Sequence, residues 1–289
     1  MTETSEFQVG LIGADIQLSK TPALHMREGT AHGLDYRYEL VDIHARKVEE
    51  SALPDLLAEL EGRGFAGANI THPFKQAVIP LLDDLSEDAR RLGAVNTVVF
   101  RGGKRFGHNT DWSGFYESFQ RGLPDAKRER ALLIGAGGAG VAVAHAALKL
   151  GIARLDIFDQ DKARAGSLAK ALNARFGEDR AFAVEDPAQS MPEADGLIHA
   201  TPMGMPAHPG MPLEADLIEP RHWVADIVYM PLVTALLAAA KAKGCAVLPG
   251  GGMAVFQAVG AFRLFCGREP DAERMSAHFT ELCRAEAVA

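Results

Sequence analysis

The sequence predicts an α/β fold in two parts, the first built on a mostly parallel sheet. The chain has 289 residues, 47% of them hydrophobic, which suits two domains or one at the upper size limit. Short apolar runs alternate with segments of helical periodicity, the pattern of parallel strands joined by helices. A glycine-rich turn near the middle of the chain opens a second series of such elements.

The first series contains four predicted strands, at 7–13, 36–43, 66–71 and 94–100. Helices are predicted between and after them, at 21–33, 52–64, 73–85 and 111–122. Thr21 is expected to cap the first helix, ahead of Pro22, and Gly33 to end it. In the second helix, leucines recur at helical spacing and predict one apolar face.

The second series begins near Lys127. Its strands are predicted at 130–135, 153–161, 194–202, 222–231 and 245–253. An alanine-rich helix should follow the first of them, and the loop-like segment 122–129 is a candidate linker. The tail after residue 250 is helical and is expected to pack back on the first part. The predicted domains are therefore 1–121, completed by 253–289, and 122–252.

Gly135, Gly137 and Gly140 fit the pattern G-x-G-x-x-G between a predicted strand and a predicted helix. In a Rossmann unit, such glycines allow a tight turn and let the backbone approach a pyrophosphate at the helix N-terminus. The alternative is a helix packed on a sheet through small residues. In this context we expect dinucleotide binding.

The next strand ends in Asp159, which is placed to accept hydrogen bonds from the adenosine ribose hydroxyls. Gln160 and Asp161 follow, so two carboxylates would oppose the 2′-phosphate of NADP. Arg164 lies further along the chain, and its positive charge weakly favours NADP. The charges favour NAD as cofactor over NADP. Either aspartate also suits the cap of the next helix.

Lys75 is a candidate general base for a dehydrogenase that oxidises an alcohol. It follows Pro73, the expected first residue of a helix, where the helix dipole and partial burial disfavour a cation. A nearby carboxylate, for which Asp111 is the candidate, would favour the cation, so the balance stays open. The ordinary alternatives are a solvated surface lysine and an aspartate that caps a helix.

Other polar residues lie at predicted strand ends, where open α/β sheets bind ligands. They are Ser19, Thr21, Thr71 and Asn96. Such groups suit a small molecule that carries hydroxyls and a carboxylate, although each can also be an ordinary cap.

Composition excludes several other classes. The net charge is -8 with scattered basic residues, which disfavours nucleic-acid binding. Three cysteines without metal spacing suit a reducing cytoplasm, and no metal is expected. No window is apolar enough to span a membrane. The expectation is a cytoplasmic monomer or homodimer acting on a small molecule.

Seven short stretches together resemble the shikimate dehydrogenase family. They lie at 19–25, 69–75, 93–97, 107–111, 135–140, 200–205 and 250–259, and span nearly the whole chain. The resemblance implies an N-terminal substrate domain, a Rossmann domain and returning C-terminal helices. It also implies reversible oxidation of the ring 3-hydroxyl of shikimate to 3-dehydroshikimate, with hydride passing to the nicotinamide.

The resemblance assigns roles to individual residues. Lys75 and Asp111 would form the catalytic pair. Substrate would contact Ser19, Thr21, Thr71, Asn96, Gln257 and Tyr229. The cofactor would contact Gly135, Ala136, Gly137, Gly138, Ala139, Asp159, Arg164, Thr201, Met203, Val228, Gly252 and Met253.

At two places the sequence differs from the biosynthetic members of the family. Both differences resemble the NAD-dependent branch that acts on quinate and shikimate. Thr21 stands where those members usually carry serine, and Asp159 to Asp161 stand where they carry Asn-Arg-Thr. Three alternatives stay open at this point. They are an NADP-dependent biosynthetic shikimate dehydrogenase, a relative acting on aminoshikimate or aminoquinate, and a non-catalytic nucleotide-sensing protein.

Overall fold

The computed structural model describes residues 6–288, with side chains up to residue 285. These residues pack as two compact units. Unit 1 runs up to Thr110 and resumes at Val255, and unit 2 is Asp111–Ala254. The first packing boundary therefore lies one helix before the predicted domain limit at 121. The substrate and cofactor roles of the two parts stay a prediction.

In chain order the strands are β1 (Glu6–Gly13), β2 (Asp35–Asp42), β3 (Gly67–Ile70), β4 (Asp84–Leu85), β5 (Thr97–Arg101), β6 (Lys104–His108), β7 (Arg130–Ile134), β8 (Arg154–Phe158), β9 (Ala181–Ala183), β10 (Gly196–His199), β11 (Trp223–Asp226) and β12 (Ala246–Leu248). The helices are α1 (Thr21–Ala31), α2 (Ile43–Arg46), α3 (Leu53–Gly62), α4 (Glu87–Leu92), α5 (Asp111–Gly122), α6 (Gly138–Lys149), α7 (Lys162–Phe176), α8 (Pro187–Ser190), α9 (Ala235–Ala242), α10 (Gly251–Cys266) and α11 (Ala272–Val288).

Unit 1 contains a six-stranded sheet in the order β2-β1-β3-β5-β6-β4. Strands β1, β2 and β3 are mutually parallel, whereas β5 runs antiparallel to both β3 and β6. The carboxyl ends of β1, β3 and β6 therefore share one edge with the start of β5. Two of the predicted polar residues lie at that edge, since Thr71 follows β3 and Asn96 precedes β5.

Helix α3 buries its four leucines, Leu53, Leu56, Leu57 and Leu60, as the spacing predicts. The predicted helix at 73–85 is wrong. Residues 72–78 form consecutive turns, followed by a short 3-10 turn at Ile79–Leu81 and by β4. The prediction took Pro73 as the first residue of a helix, whereas Pro73 lies within these turns, in which Phe74 and Val78 are buried. Two carbonyls of this segment bond outside the turns: that of His72 accepts from the N–H of Ala14 at 2.9 Å, and that of Lys75 from the N–H of Val95 at 2.7 Å.

Strand β6 was not predicted. It pairs antiparallel with β5 through a two-residue turn at Gly102 and Gly103, whose φ angles are 60° and 71°. Glycine adopts this left-handed conformation readily, and such turns match the twist of a hairpin.

Unit 2 contains six parallel strands in the order β12-β11-β10-β7-β8-β9. Counted from β7, this is the 3-2-1-4-5-6 order of a Rossmann sheet, and its switch point lies between β7 and β10. Phe115 and Phe119 of α5 pack in the core of this unit. That packing places α5 in unit 2, although the sequence analysis assigned it to the first domain.

The chain after residue 254 completes unit 1. Phe262 and Phe265 of α10 pack against Val9, Leu11 and Tyr36 of the sheet. Between residues 6 and 288, no helix combines the length and apolar character needed to cross a membrane. Over the same residues, no group of three His, Cys, Asp or Glu side chains is arranged to hold a metal ion.

Candidate active site

The glycine turn joins β7 to α6 at the switch point of unit 2. Gly135 has φ +108°, and a Cβ on it would lie 2.6 Å from the carbonyl oxygen of Ala200. A Cβ on Gly140 would overlap the carbonyl oxygen of Gly135. These two glycines therefore set the tight turn and the close packing of helix against strand.

Gly137 faces open space. A Cβ on it or on Gly138 would meet no atom within 4 Å. Gly137 is also the N-cap of α6, and no side chain caps this helix end. The first N–H groups of α6 therefore point from an uncapped N-terminus with space beside it, which fits a pyrophosphate.

The aspartates after β8 have different structural roles. Asp159 Oδ2 accepts from the N–H of Ala136 at 2.7 Å, and its Oδ1 accepts from the N–H of Asp161 at 2.9 Å. Asp159 thus connects the end of β8 to the glycine turn. Asp161 is the cap of α7, where it accepts from the N–H groups of Ala163 and Arg164. The guanidinium of Arg164 lies 3.3 Å from Asp161 Oδ2.

Two cavities of unit 2 lie at the carboxyl ends of its strands. The first, of about 410 Å³, has six predicted cofactor residues in its wall: Gly135, Gly137, Asp159, Arg164, Thr201 and Met203. The second, of about 250 Å³, is lined among others by Ala139, Thr201, Val228 and Tyr229. Both cavities share Ala200, Thr201 and Pro202. Residues 200–202 are thus the ridge between them.

The remaining predicted cofactor residues do not line these two cavities. Ala136 and Gly138 belong to the glycine turn. Gly252 and Met253 lie in the first turn of α10, where a Cβ on Gly252 would overlap Ser118 Oγ. Tyr229, predicted on the substrate side, lines the second cavity of unit 2.

A buried polar network behind the second cavity was missed by the sequence analysis. His199 and Asp226 are paired residues at the ends of β10 and β11. His199 Nδ1 lies 2.9 Å from Asp226 Oδ1, and its Nε2 lies 2.5 Å from Thr201 Oγ1. Asp226 Oδ2 accepts from the hydroxyl of Thr234 at 2.7 Å. A His and an Asp within two successive predicted strands, at 194–202 and 222–231, were the available signal.

Asn96 is the centre of the polar cluster in unit 1. It is buried, and its Oδ1 accepts from the N–H of Thr110 at 2.7 Å. Its Nδ2 donates to Thr110 Oγ1 at 3.0 Å and to Gln257 Oε1 at 3.3 Å. The structure therefore brings two predicted substrate residues, Asn96 and Gln257, into contact.

A chain of hydrogen bonds from Tyr38 through Asn69 reaches the backbone of Asn96. The hydroxyl of Tyr38 donates to Asn69 Oδ1 at 2.8 Å, and Asn69 Nδ2 donates to Thr97 Oγ1 and to the carbonyl of Asn96. Burial raises the pKa of Tyr38 well above its ordinary value. The phenol therefore stays protonated and acts as the donor, which fixes the direction of the chain.

Ser19, Thr21, Thr71 and Lys75 are half-buried residues of unit 1. The expectation that Thr21 caps α1 is wrong: Lys20 is the cap residue, no side chain caps this end, and Thr21 is the first helical residue. Instead, Ser19 Oγ accepts from the N–H of Thr21 at 3.3 Å. The argument that a helix dipole acts on Lys75 is also wrong, because no helix begins there.

Asp111 is the first residue of α5 and is 7% exposed. It belongs to unit 2, whereas Lys75 belongs to unit 1. Their action as a pair stays a prediction.

Comparison with known proteins identifies the family. Residues 11–98 match the model of the shikimate dehydrogenase substrate binding domain. The NADP-dependent shikimate dehydrogenase of Streptomyces avermitilis is 54% identical, and the match covers 100% of this chain and 99% of that protein. The NAD-dependent quinate/shikimate dehydrogenase of Corynebacterium efficiens is 48% identical over 95% of this chain and 98% of its own length.

A solved structure shares both units. The quinate dehydrogenase of Corynebacterium glutamicum in complex with NAD matches with a TM-score of 0.91 at 46% identity, over 96% of this chain and 99% of that one. The predicted α/β fold with a Rossmann part is confirmed. Because the fold and the sequences of these relatives match over nearly the whole chain, the chain belongs to the shikimate dehydrogenase family.

Proposed function

We propose that this chain is an NAD-dependent dehydrogenase that interconverts shikimate and 3-dehydroshikimate, and also quinate and 3-dehydroquinate. Family membership supports an oxidoreductase that uses a pyridine nucleotide. The choices of NAD and of quinate are the parts proposed here.

The observation that carries the choice of NAD is the carboxylate of Asp159 at the wall of the first cavity. In Rossmann folds a carboxylate at this strand end bonds the adenosine ribose hydroxyls. A 2′-phosphate there would meet Asp159 and, two residues on, Asp161, so it would be repelled. Arg164, the nearby cation in the wall, already pairs with Asp161.

The catalytic roles follow from the chemistry that an alcohol oxidation requires. When bound, the nicotinamide accepts the hydride. The amine of Lys75 takes the proton of the ring 3-hydroxyl, and the carboxylate of Asp111 orients that amine and the hydroxyl. Ser19, Thr21, Thr71, Asn96 and Gln257 bind the remaining hydroxyls and the carboxylate of the substrate.

Quinate carries one more hydroxyl than shikimate, at C1. Thr21 has a methyl group that serine lacks, and that methyl reshapes the carboxylate end of the pocket. One hydroxyl admitted or rejected by an apolar wall changes relative rates by only ~10²-fold, and by more when a buried group must bond it. We therefore expect both acids to be substrates.

A second candidate is an NADP-dependent shikimate dehydrogenase. Its support is the NADP-dependent relative at 54% identity, together with Arg164 in the wall of the cavity. In that case Arg164 would leave Asp161 and bind the 2′-phosphate.

The test is a comparison of kcat/KM for shikimate and quinate with NAD and with NADP. We expect turnover of both acids and a preference for NAD, and Asp159→Asn should narrow that preference because it removes one repelling charge. A preference for NADP would identify the second candidate. Turnover of only aminoshikimate or aminoquinate would identify a relative that acts on those amino derivatives. Nucleotide binding without any turnover would identify a non-catalytic nucleotide-sensing protein.

A further inference from the structure

Thr201 and Val228 both line the second cavity, and one buried pair connects them. Thr201 follows β10 and Val228 follows β11. Asp226 Oδ1 accepts from the N–H of Val228 at 3.0 Å as well as lying 2.9 Å from His199 Nδ1. His199 Nε2 reaches Thr201. The pair His199–Asp226 therefore joins the two loops that carry these lining residues.

The two ring nitrogens of His199 have different partners. A carboxylate only accepts, so His199 Nδ1–H donates to Asp226. The other ring nitrogen, Nε2, hydrogen-bonds the hydroxyl of Thr201 at 2.5 Å. Thr201 Oγ1 in turn accepts from the N–H of Met203 at 3.2 Å. The hydroxyl is thus occupied away from the cavity, and the backbone from Thr201 to Met203 is held in a turn.

The far end of the network is equally complete. Thr234 donates to Asp226 Oδ2, and its own Oγ1 accepts from the N–H of Leu237 as the cap of α9. His199, Asp226 and Thr234 are all at most 2% exposed. A buried network in which every group has its partner specifies one arrangement, and losing one member leaves another unpaired.

We propose that His199 is a positioning residue that fixes the wall of the nicotinamide half of the cofactor site through Thr201 and Val228. Asp159 marks the adenosine end, in the first cavity, so the second cavity across the 200–202 ridge takes the nicotinamide half. The proposal rests on the proposed function only in requiring that a nicotinamide dinucleotide binds here.

The test compares two ligands that differ in the nicotinamide. ADP-ribose contains only the adenosine half and the pyrophosphate-linked ribose, whereas NADH contains the whole dinucleotide. In His199→Phe we expect the affinity for NADH to fall relative to that for ADP-ribose. We also expect kcat with shikimate to fall roughly 10- to 100-fold, since misplacement by about 1 Å can have that effect.

Three further variants separate positioning from general destabilisation. His199→Gln offers one donor and one acceptor at similar reach and should restore most of the loss. Thr201→Val removes only the hydroxyl and should reproduce the loss if His199→Phe fails to fold. His222→Phe, an equally buried histidine just before β11, should leave both the affinity ratio and kcat unchanged.

Unchanged affinity ratio and kcat in His199→Phe and Thr201→Val would overturn the proposal, as would equal losses in His222→Phe. If the wild type binds NADH but turns over neither acid, the proposed function fails while the affinity ratio still decides the role of His199.

Discussion

His25 is a fully buried histidine whose environment suits only the neutral ring. It lies on α1 among the rings of Tyr38, Phe262 and Phe265, and its Nδ1 is 3.0 Å from the hydroxyl of Tyr36. Among the described residues, its Nε2 has no hydrogen-bond partner. Burial lowers the pKa of His25 from 6.5 to about 3.

This depressed pKa predicts a loss of stability in acid. Below pH 6.5 the unfolded chain binds a proton at His25 that the folded chain does not bind until about pH 3. The free energy of unfolding should therefore fall by ~1.4 kcal/mol per pH unit across that window. Urea unfolding of the wild type and of His25→Gln from pH 7.5 to pH 5 measures the effect, since only the wild type should lose this contribution.

His44→Gln is the matched control for that experiment. His44 is exposed in the same unit, and its hydrogen bond to Asp15 raises its pKa. A group whose pKa is raised by folding stabilises the fold below its unfolded pKa, and this stabilisation is lost as pH rises. The contribution of His44 to the free energy of unfolding therefore changes with pH in the direction opposite to that of His25. Parallel pH profiles for the wild type and His25→Gln would contradict the account of His25.

The position of a residue could be predicted where a local sequence pattern is typical of one structure. Asp159 follows β8 as expected, because the second strand of a Rossmann unit ends about 20 residues after the glycine turn. The helix expected around Lys75 does not form, because Pro73 lies within a run of turns and not at a helix start. The catalytic role of Lys75 stays a prediction. His199 was missed because its partner Asp226 is brought beside it by strand pairing and not by a local motif.

At the scale of elements, the junction of β7 with α6 depends on Gly140. A methyl group there would overlap the carbonyl oxygen of Gly135, so Gly140→Ala must push the helix away from the turn. We expect a lower melting temperature and weaker NADH binding, measured by thermal unfolding and by titration.

Gly166→Ala is the matched control for the helix change. Gly166 lies on the exposed face of α7, and a Cβ there meets no atom within 4 Å. The same substitution should stabilise that helix by up to ~1 kcal/mol and leave NADH binding alone. Equal NADH affinity in the wild type and in Gly140→Ala would show that the close packing at this turn is not needed for binding.

Most elements could be predicted because their periodicity is local. The leucines of α3 and the strand and helix around the glycine turn are such cases. Strand β6 has no apolar run of its own, since its letters are Lys-Arg-Phe-Gly-His, and it forms because β5 and a glycine turn pair with it. Such pairing is a tertiary effect that a local pattern does not contain.

At the scale of the whole molecule, the order of motifs predicted the family and the return of the C-terminal helices to unit 1. Packing placed the first boundary at 110, because Phe115 and Phe119 of α5 belong to the core of unit 2. The sequence analysis placed α5 with the first part because it took the loop-like segment 122–129, which follows α5, as the linker between the two parts.

The central claim is that this chain moves the hydride from the C3 carbon of shikimate to NAD with Lys75 as the base. Shikimate carrying deuterium at C3 tests it most directly, with mass spectrometry of the NADH formed. The account predicts one deuterium per NADH. It also predicts that Lys75→Met forms labelled NADH ~10²- to 10⁴-fold more slowly while still binding NAD. Unlabelled NADH, or a Lys75→Met variant as fast as the wild type, would contradict it.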